Sequence, residues 1–409
     1  MRAAAFALAL ALAATGCAGA VTPPPPSVTG LPAPGDTLLG AARLGALPAP
    51  ARQAWLDYLK ASDDARARDR AAVDAELRAA GRSAWTPAPH ADDFAVSAAM
   101  TGAWFATDEA GRIADVIVSF QTPSGGWSKA VDVTTRPRLP GEGFGSTDSW
   151  SWIGTFDNGA TTEELRFLGA AARERADGRY AAAFLRGLDY IALAQFPNGC
   201  WPQSFPLDGG YHDAATFNDD AAARVLRLLT AVARGDYAFV PADARGRAAA
   251  GVARGVSCIV ASQVKVGGRL TAWGQQHDPL GLAPVKARAF EPASLASRES
   301  AGILEILMGL ESPDAATVAA VHAAAAWLRA TAIGGYAYES GALVPRAGAG
   351  PLWARLYEIG TDRPVFGDRD GSVHYELREI SEERRLGYAW YVTSPAATLR
   401  RYDTWAAAH

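Results

Sequence analysis

Gln121-Thr-Pro-Ser-Gly-Gly-Trp127 and Gln195-Phe-Pro-Asn-Gly-Cys-Trp201 are two copies of one pattern, Gln-x-Pro-x-Gly-x-Trp, set 74 residues apart. A degraded third copy spans Gln263 to Trp273, a further 68 residues along. Each copy follows an apolar-periodic run that reads as a helix, at 113–120, 182–194 and 247–262. A period of roughly 70 residues holds two helices and two loops. Helical hairpins of that size stack on one another and bring one end of every pair to a common face. The expected fold is therefore all-α: an α/α toroid, an incomplete helical barrel, with a few short β hairpins and long loops. Strand signals are confined to 269–272 and 336–343. Further helices are expected at 52–62, with Trp55, Tyr58 and Leu59 on one face, and at 69–80, 95–107 and 324–332. Beyond 332 the chain turns irregular and charged.

The chain has 409 residues, of which 49% are hydrophobic, enough for a large core. Its 39 basic and 43 acidic residues leave a net charge of −4, which removes the electrostatic case for nucleic acid. Arg2 followed by the short apolar run 3–14 reads as an export signal, too short to span a bilayer. Ala14-Thr-Gly-Cys17 is close to a lipobox, so Cys17 is either an acylated N-terminus or part of a discarded signal. A signal over 1–17, a Pro-rich linker over 18–40 and one catalytic domain over 41–409 are expected. The expected destination is the periplasm, the outer membrane as a lipoprotein, or secretion from the cell. In an exported protein Cys200 and Cys258 either pair or remain as two buried thiols; their spacing leaves both open.

Two blocks share a core. Gly154-Thr-Phe-Asp-Asn-Gly-Ala-Thr-Thr-Glu-Glu164 and Tyr211-His-Asp-Ala-Ala-Thr-Phe-Asn-Asp-Asp220 each run Thr-Phe into an acidic turn and then into a plain helix, ending near 173 and 233 respectively. Taken singly, Asp157 and Asn158 cap and turn the chain, with Thr161 or Thr162 available as the helix cap. Two matched clusters of hard oxygen donors in neighbouring repeats suit a Ca²⁺ ion, although not in the spacing of an EF-hand. Lys286 and Arg288 lie between Pro284 and Pro292, where an extended segment puts both on one side. Together with Arg355, Arg369 and Arg385 they provide cations suited to carboxylates, since guanidinium binds them with paired hydrogen bonds. Tryptophans 127, 201, 273 and 353 offer sugar-stacking surfaces, or lock helix ends.

These blocks, with Lys286-Ala-Arg-Ala-Phe-Glu291 and the ending from Arg-Asp-Gly371 to Gly387-Tyr-Ala-Trp390, resemble polysaccharide lyase family 10 pectate lyases over about residues 95–392. The resemblance implies an α/α toroid and Ca²⁺-assisted β-elimination of polygalacturonate; a monomer is expected. It places the calcium carboxylates on Asp157 and Asp219, with Asn158 beside the first, and the catalytic base on Arg288. Arg355 and Arg369 are the implied grips on substrate carboxylates, and Lys286, Asn158 and Arg385 complete the expected substrate contacts. Two departures stand out: Phe290 replaces the usual Tyr, and Ala296-Ser-Arg298 replaces a Ser-Gly-containing stretch. Three other classes are weighed against it. A glycoside hydrolase would need a carboxylic acid and base pair. A terpene cyclase shares the Gln-to-Trp turns but lacks the Asp-x-Asp-Asp acid found there. A carbohydrate-binding lipoprotein would retain pectate without cutting it.

Overall fold

The computed structural model describes residues 37–94, 96, 102–146 and 153–409. Its centre is three antiparallel helical hairpins: α4 (Thr162–Arg175) with α5 (Gly178–Ala194), α6 (Ala221–Arg234) with α7 (Ala242–Ser262), and α8 (Ser297–Met308) with α9 (Ala315–Ala330). The first helices of the pairs pack as one layer, α4 on α6 on α8. The second helices pack as another, α5 on α7 on α9. Short α1 (Ala41–Gly45) and long α2 (Ala49–Ala79) precede them, α3 (Asp108–Ser119) packs on α4, and α10 (Glu382–Leu386) and α11 (Pro395–Ala406) follow. α11 closes against α8 and α9. Among the described residues the strands form two-stranded antiparallel ribbons, none longer than four residues, and no barrel of strands closes. The all-α expectation holds.

The repeated turn explains the register of the stack. The tryptophans are fully buried and donate their indole N–H to the end of an earlier helix: Trp127 to Ile117 O at 2.7 Å, Trp201 to Ile191 O at 3.0 Å and Trp273 to Ile259 O at 2.8 Å. Trp353 does the same to Leu328 O at 2.7 Å, a fourth turn that keeps the Trp without the motif. The glutamine amide of each turn ties its own loop to the second helix of the following hairpin. Gln121 Nε2 donates to Gly125 O and Ala183 O, Gln195 Nε2 to Gly199 O and Gly251 O, and Gln263 Nε2 to Thr271 O and Ala320 O. Gly125 and Gly199 have φ of 105° and 97°, and a Cβ would meet the carbonyls of Arg186 and Arg254 at 2.5 and 2.2 Å. Only glycine fits there. Arg186 and Arg254 in turn donate to the Gln121 and Gln195 side-chain oxygens. The equivalent position of the third repeat is Ala323, and Gln263 Oε1 has no partner. Its turn has decayed in sequence and in bonding together. The tryptophans lock helix ends; they form no sugar platform.

The helices expected at 52–62 and 69–80 are one, α2, 31 residues long. Its buried stripe, Trp55, Tyr58, Ser62, Ala65, Asp69, Val73 and Leu77, keeps helical spacing throughout. Two polar members disguise it. Ser62 accepts the Leu207 N–H at 2.9 Å, and Asp69 accepts the Ser124 N–H at 2.7 Å, so the stripe is a satisfied seam rather than a break. Burial nevertheless pushes the Asp69 carboxyl up to about 6. Of the helix expected at 95–107, residues 95 and 97–101 lie outside the described residues, and Gly102–Ala106 is a 3-10 turn. The hairpin expectations at 269–272 and 336–343 correspond to ribbons Lys265–Val266 with Arg269–Leu270 and Tyr336–Glu339 with Ala342–Pro345. Cys200 and Cys258 form a disulfide, Cα–Cα 5.5 Å, joining the second Gln-to-Trp turn to α7. No described helix is long and apolar enough to cross a membrane.

Candidate active site

The acidic blocks fold into matching 3-10 turns, Asp157–Gly159 and Asn218–Asp220, which pack against each other. Asn158 (φ 51°), Asp219 (φ 48°) and Asp220 (φ 62°) occupy the left-handed region, which Asn and Asp tolerate better than other side chains. The turns open α4 and α6, so two helix N-termini start beside the acidic pair. The expected threonine cap is absent. Thr161 has φ 65° and bonds instead to the backbone of Trp127, accepting from N at 3.0 Å and donating to O at 3.2 Å. Ser300 makes the same two contacts with Trp273, at 3.0 and 3.3 Å, another trace of the repeat.

The pinned tryptophans set what faces these turns. Thr155 N donates to Trp127 O, Thr216 N to Trp201 O and Ala296 N to Trp273 O, at 2.9, 2.9 and 2.7 Å. The residues two beyond Trp127, Trp273 and Trp353 meet acidic segments, whereas Gln203, two beyond Trp201, accepts from Gln276 Nε2 at 3.0 Å. Lys129 donates to Asp157 Oδ2. Gln275 Nε2 donates to Asn218 Oδ1 at 3.0 Å, to Glu299 Oε1 at 3.2 Å and to the Tyr388 hydroxyl at 3.1 Å. Arg355 Nη2 donates to Glu299 Oε1 at 2.8 Å and to Asp219 Oδ1 at 3.1 Å. Arg298, one of the departures from the family pattern, reaches the same Asp219 oxygen at 3.2 Å. Arg355 is 4% exposed: burial alone depresses its pKa, but Glu299, Tyr388 and Asp219 outweigh that and raise it.

Arg288 begins a turn closed by Glu291 N donating to Arg288 O at 2.9 Å, so its segment is not extended as expected. Its Nε and Nη2 donate to the two Glu291 oxygens at 2.8 and 2.6 Å, and its guanidinium lies 4.8 Å from the Phe290 ring centre. Those hydrogen bonds raise its pKa still further, against burial. The Tyr388 hydroxyl donates to Glu291 Oε1 at 2.9 Å, which links Arg288 through Tyr388 and Gln275 to the Asn218 and Glu299 cluster. Tyr211, half-buried, feels Arg288, Glu291 and Asp157 together, and burial pushes its phenol up. Lys286 is exposed and, among the described residues, enters no ion pair. Arg369 is exposed, paired with Glu383 at 2.9 Å and 5.6 Å from the Phe290 ring centre. Arg385 hydrogen-bonds the Arg378 carbonyl, while Arg384 covers Phe290 at 4.5 Å. Sequence reasoning passed over Lys129, Gln275, Arg298, Glu299, Tyr388 and Tyr211. The offset of two residues from each tryptophan was the signal for Lys129 and Gln275.

A family model for pectic acid lyase matches residues 121–399. This chain belongs to that family. A family 10 polysaccharide lyase from Cellvibrio cellulosa shares 35% identity and a TM-score of 0.66, over 74% of this chain and 94% of the other. A mutant of the Cellvibrio cellulosa lyase in complex with trigalacturonic acid shares 34% identity and the same TM-score, over 74% and 96% of the two chains. No curated protein matches. The lyase is thus an enzyme of the pectate-cleaving class on a helical toroid, and the glycoside hydrolase, cyclase and binding-protein alternatives fall away.

Proposed function

We propose that the lyase cleaves polygalacturonate by Ca²⁺-assisted β-elimination, leaving 4,5-unsaturated oligogalacturonides. The observation that carries this reading is the packing together of the Asp157–Asn158 and Asn218–Asp219 turns, with Tyr211 within electrostatic reach of both Asp157 and Arg288. The donor set suits calcium: carboxylate and amide oxygens on adjoining turns, with no sulfur or imidazole. Among the described residues no group of three or more His, Cys, Asp or Glu side chains gathers into a cage. The protein would therefore supply only part of the shell, leaving the rest to substrate and water. Asp157 and Asp219 would hold the ion. When bound, Ca²⁺ would bind the galacturonate carboxylate and stabilise the negative charge that develops as C5–H is lost.

The chain's own residues do the remainder. Lys129 neutralises a substrate carboxylate, Arg355 steadies Asp219 from its bond to Glu299, and Arg369, exposed beside Phe290, meets a further unit. Arg288, in its neutral form, takes the C5 proton; the electron pair left behind becomes the C4–C5 double bond as the C4–O bond breaks, and the departing oxygen takes a proton from water. As a free side chain arginine stays protonated far above neutral pH. The Glu291 clamp reinforces that, so the base role demands that substrate entry loosen the Arg288–Glu291 pair. Action after export is part of the proposal, supported by the Cys200–Cys258 disulfide, since such bonds persist in oxidising compartments. Digestion of polygalacturonate should raise near-ultraviolet absorbance from the conjugated product, stop in EDTA and resume with added Ca²⁺. Activity indifferent to EDTA, or chain shortening without absorbance, would remove the reading.

A further inference from the structure

The two carboxylates proposed to hold the ion, Asp157 and Asp219, are already matched by side-chain cations. Asp157 accepts from Lys129, and Asp219 accepts from both Arg355 and Arg298. The three cations differ in freedom. Arg355 is buried and has a second anionic partner in Glu299, whose other oxygen is buried without a hydrogen bond. Lys129 and Arg298 are 27% and 37% exposed and keep a solvent-facing side. A divalent ion arriving alone meets two obstacles. Cations sit on its ligand oxygens and repel it, and two protein carboxylates fall far short of the six to eight oxygens that calcium takes. An anionic sugar relieves both at once. Its carboxylate adds oxygens for the ion, and it gives Lys129 and Arg298 another anion to hold.

We propose that Lys129 and Arg298 act as internal counter-ions that make divalent-cation uptake depend on an anionic sugar. They neutralise Asp157 and Asp219 in the resting enzyme and transfer to a galacturonate carboxylate when one enters. Arg355, retained by Glu299, stays in place as a fixed positioning residue. This rests on the calcium reading above. Linkage makes the effect reciprocal, so the ion tightens sugar binding by the factor with which sugar tightens ion binding.

Calorimetric titration of full-length protein with Ca²⁺, with and without trigalacturonate, tests it in an Arg288→Ala background that spares the sugar. Trigalacturonate should tighten Ca²⁺ binding by about tenfold or more, the usual size of such couplings. Lys129→Gln and Arg298→Gln should each bind Ca²⁺ alone several-fold more tightly and lose most of that factor, while Lys129→Arg and Arg298→Lys restore it. Arg224→Gln serves as the charge control, because Arg224 pairs with Glu163 at 2.6 Å and forms no ion pair with Asp157 or Asp219. It should leave the factor unchanged. An unaltered factor in the Lys129 and Arg298 variants, or an equal loss in Arg224→Gln, overturns the inference. Ca²⁺ binding equally tight with and without sugar also overturns it but leaves the calcium reading standing. No Ca²⁺ uptake in either condition brings down both.

Discussion

Arg288 and Glu291 form a two-pronged ion pair, with the Tyr388 hydroxyl donating to the same carboxylate. While the clamp is closed, Arg288 is a poor proton acceptor. Glu291→Gln should lower the Arg288 pKa and move the rising limb of the kcat–pH profile to lower pH. Arg288→Ala should lose at least about 100-fold in kcat, in line with removal of a general base, while still binding trigalacturonate. A Glu291→Gln profile that stays in place would contradict the role of the clamp.

Glu299 and Arg355 are a buried pair, 1% and 4% exposed. Removing one partner of such a pair strands a charge in the interior. Glu299→Ala should therefore reduce unfolding free energy by about 3 kcal/mol, near the lower end for broken buried pairs because Asp219 remains as a second partner. Chemical denaturation checks this.

Glu164, at the start of α4, lines a hollow with Asp92, Asp93, Lys129, Asn158 and Glu163, and its Oε2 is buried without a partner. Desolvation pushes its carboxyl up to about 8, against the help of hydrogen bonds from the helix-start backbone. The folded state thus binds a proton that the unfolded state releases near 4.5. Between about pH 4.5 and 8 the contribution of Glu164 to stability falls as pH rises, and above 8 it is flat. Glu164→Gln, neutral throughout, should match the wild type near pH 4.5 and gain a few kcal/mol over it by pH 8. Thermal melts across that range decide it.

The Cys200–Cys258 bond closes a loop of 58 residues. Chain-entropy reasoning gives such a loop about 4 kcal/mol. For a chain this long that corresponds to a melting-temperature drop of about 5 °C on reduction or in Cys200→Ser/Cys258→Ser. Melts with and without reductant provide the check.

Much of the toroid was legible because its punctuation repeats. Gln121, Gln195 and Gln263 announce where each helical pair turns, and the Thr-Phe blocks announce where the next begins. The site was legible only where residues cluster in sequence, as at Asp157–Asn158 and Asn218–Asp219. Lys129, Gln275 and Glu299 are single polar residues whose partners lie at least 24 residues away along the chain, so locally each reads as a solvated side chain. Arg384 and Arg385 are adjacent in a five-residue helix, and no periodicity that short tells which one covers Phe290. The α2 stripe was broken on paper because Ser62 and Asp69 are polar, although distant backbone N–H groups satisfy both.

The indole pins have an evolutionary corollary. Each holds its loop so firmly that the next-but-one side chain is presented from a fixed mount, whether it is Lys129, Gln203, Gln275 or Arg355. Cleft polarity can thus be retuned by exchanging fittings on standing brackets, with the helical masonry behind them left alone.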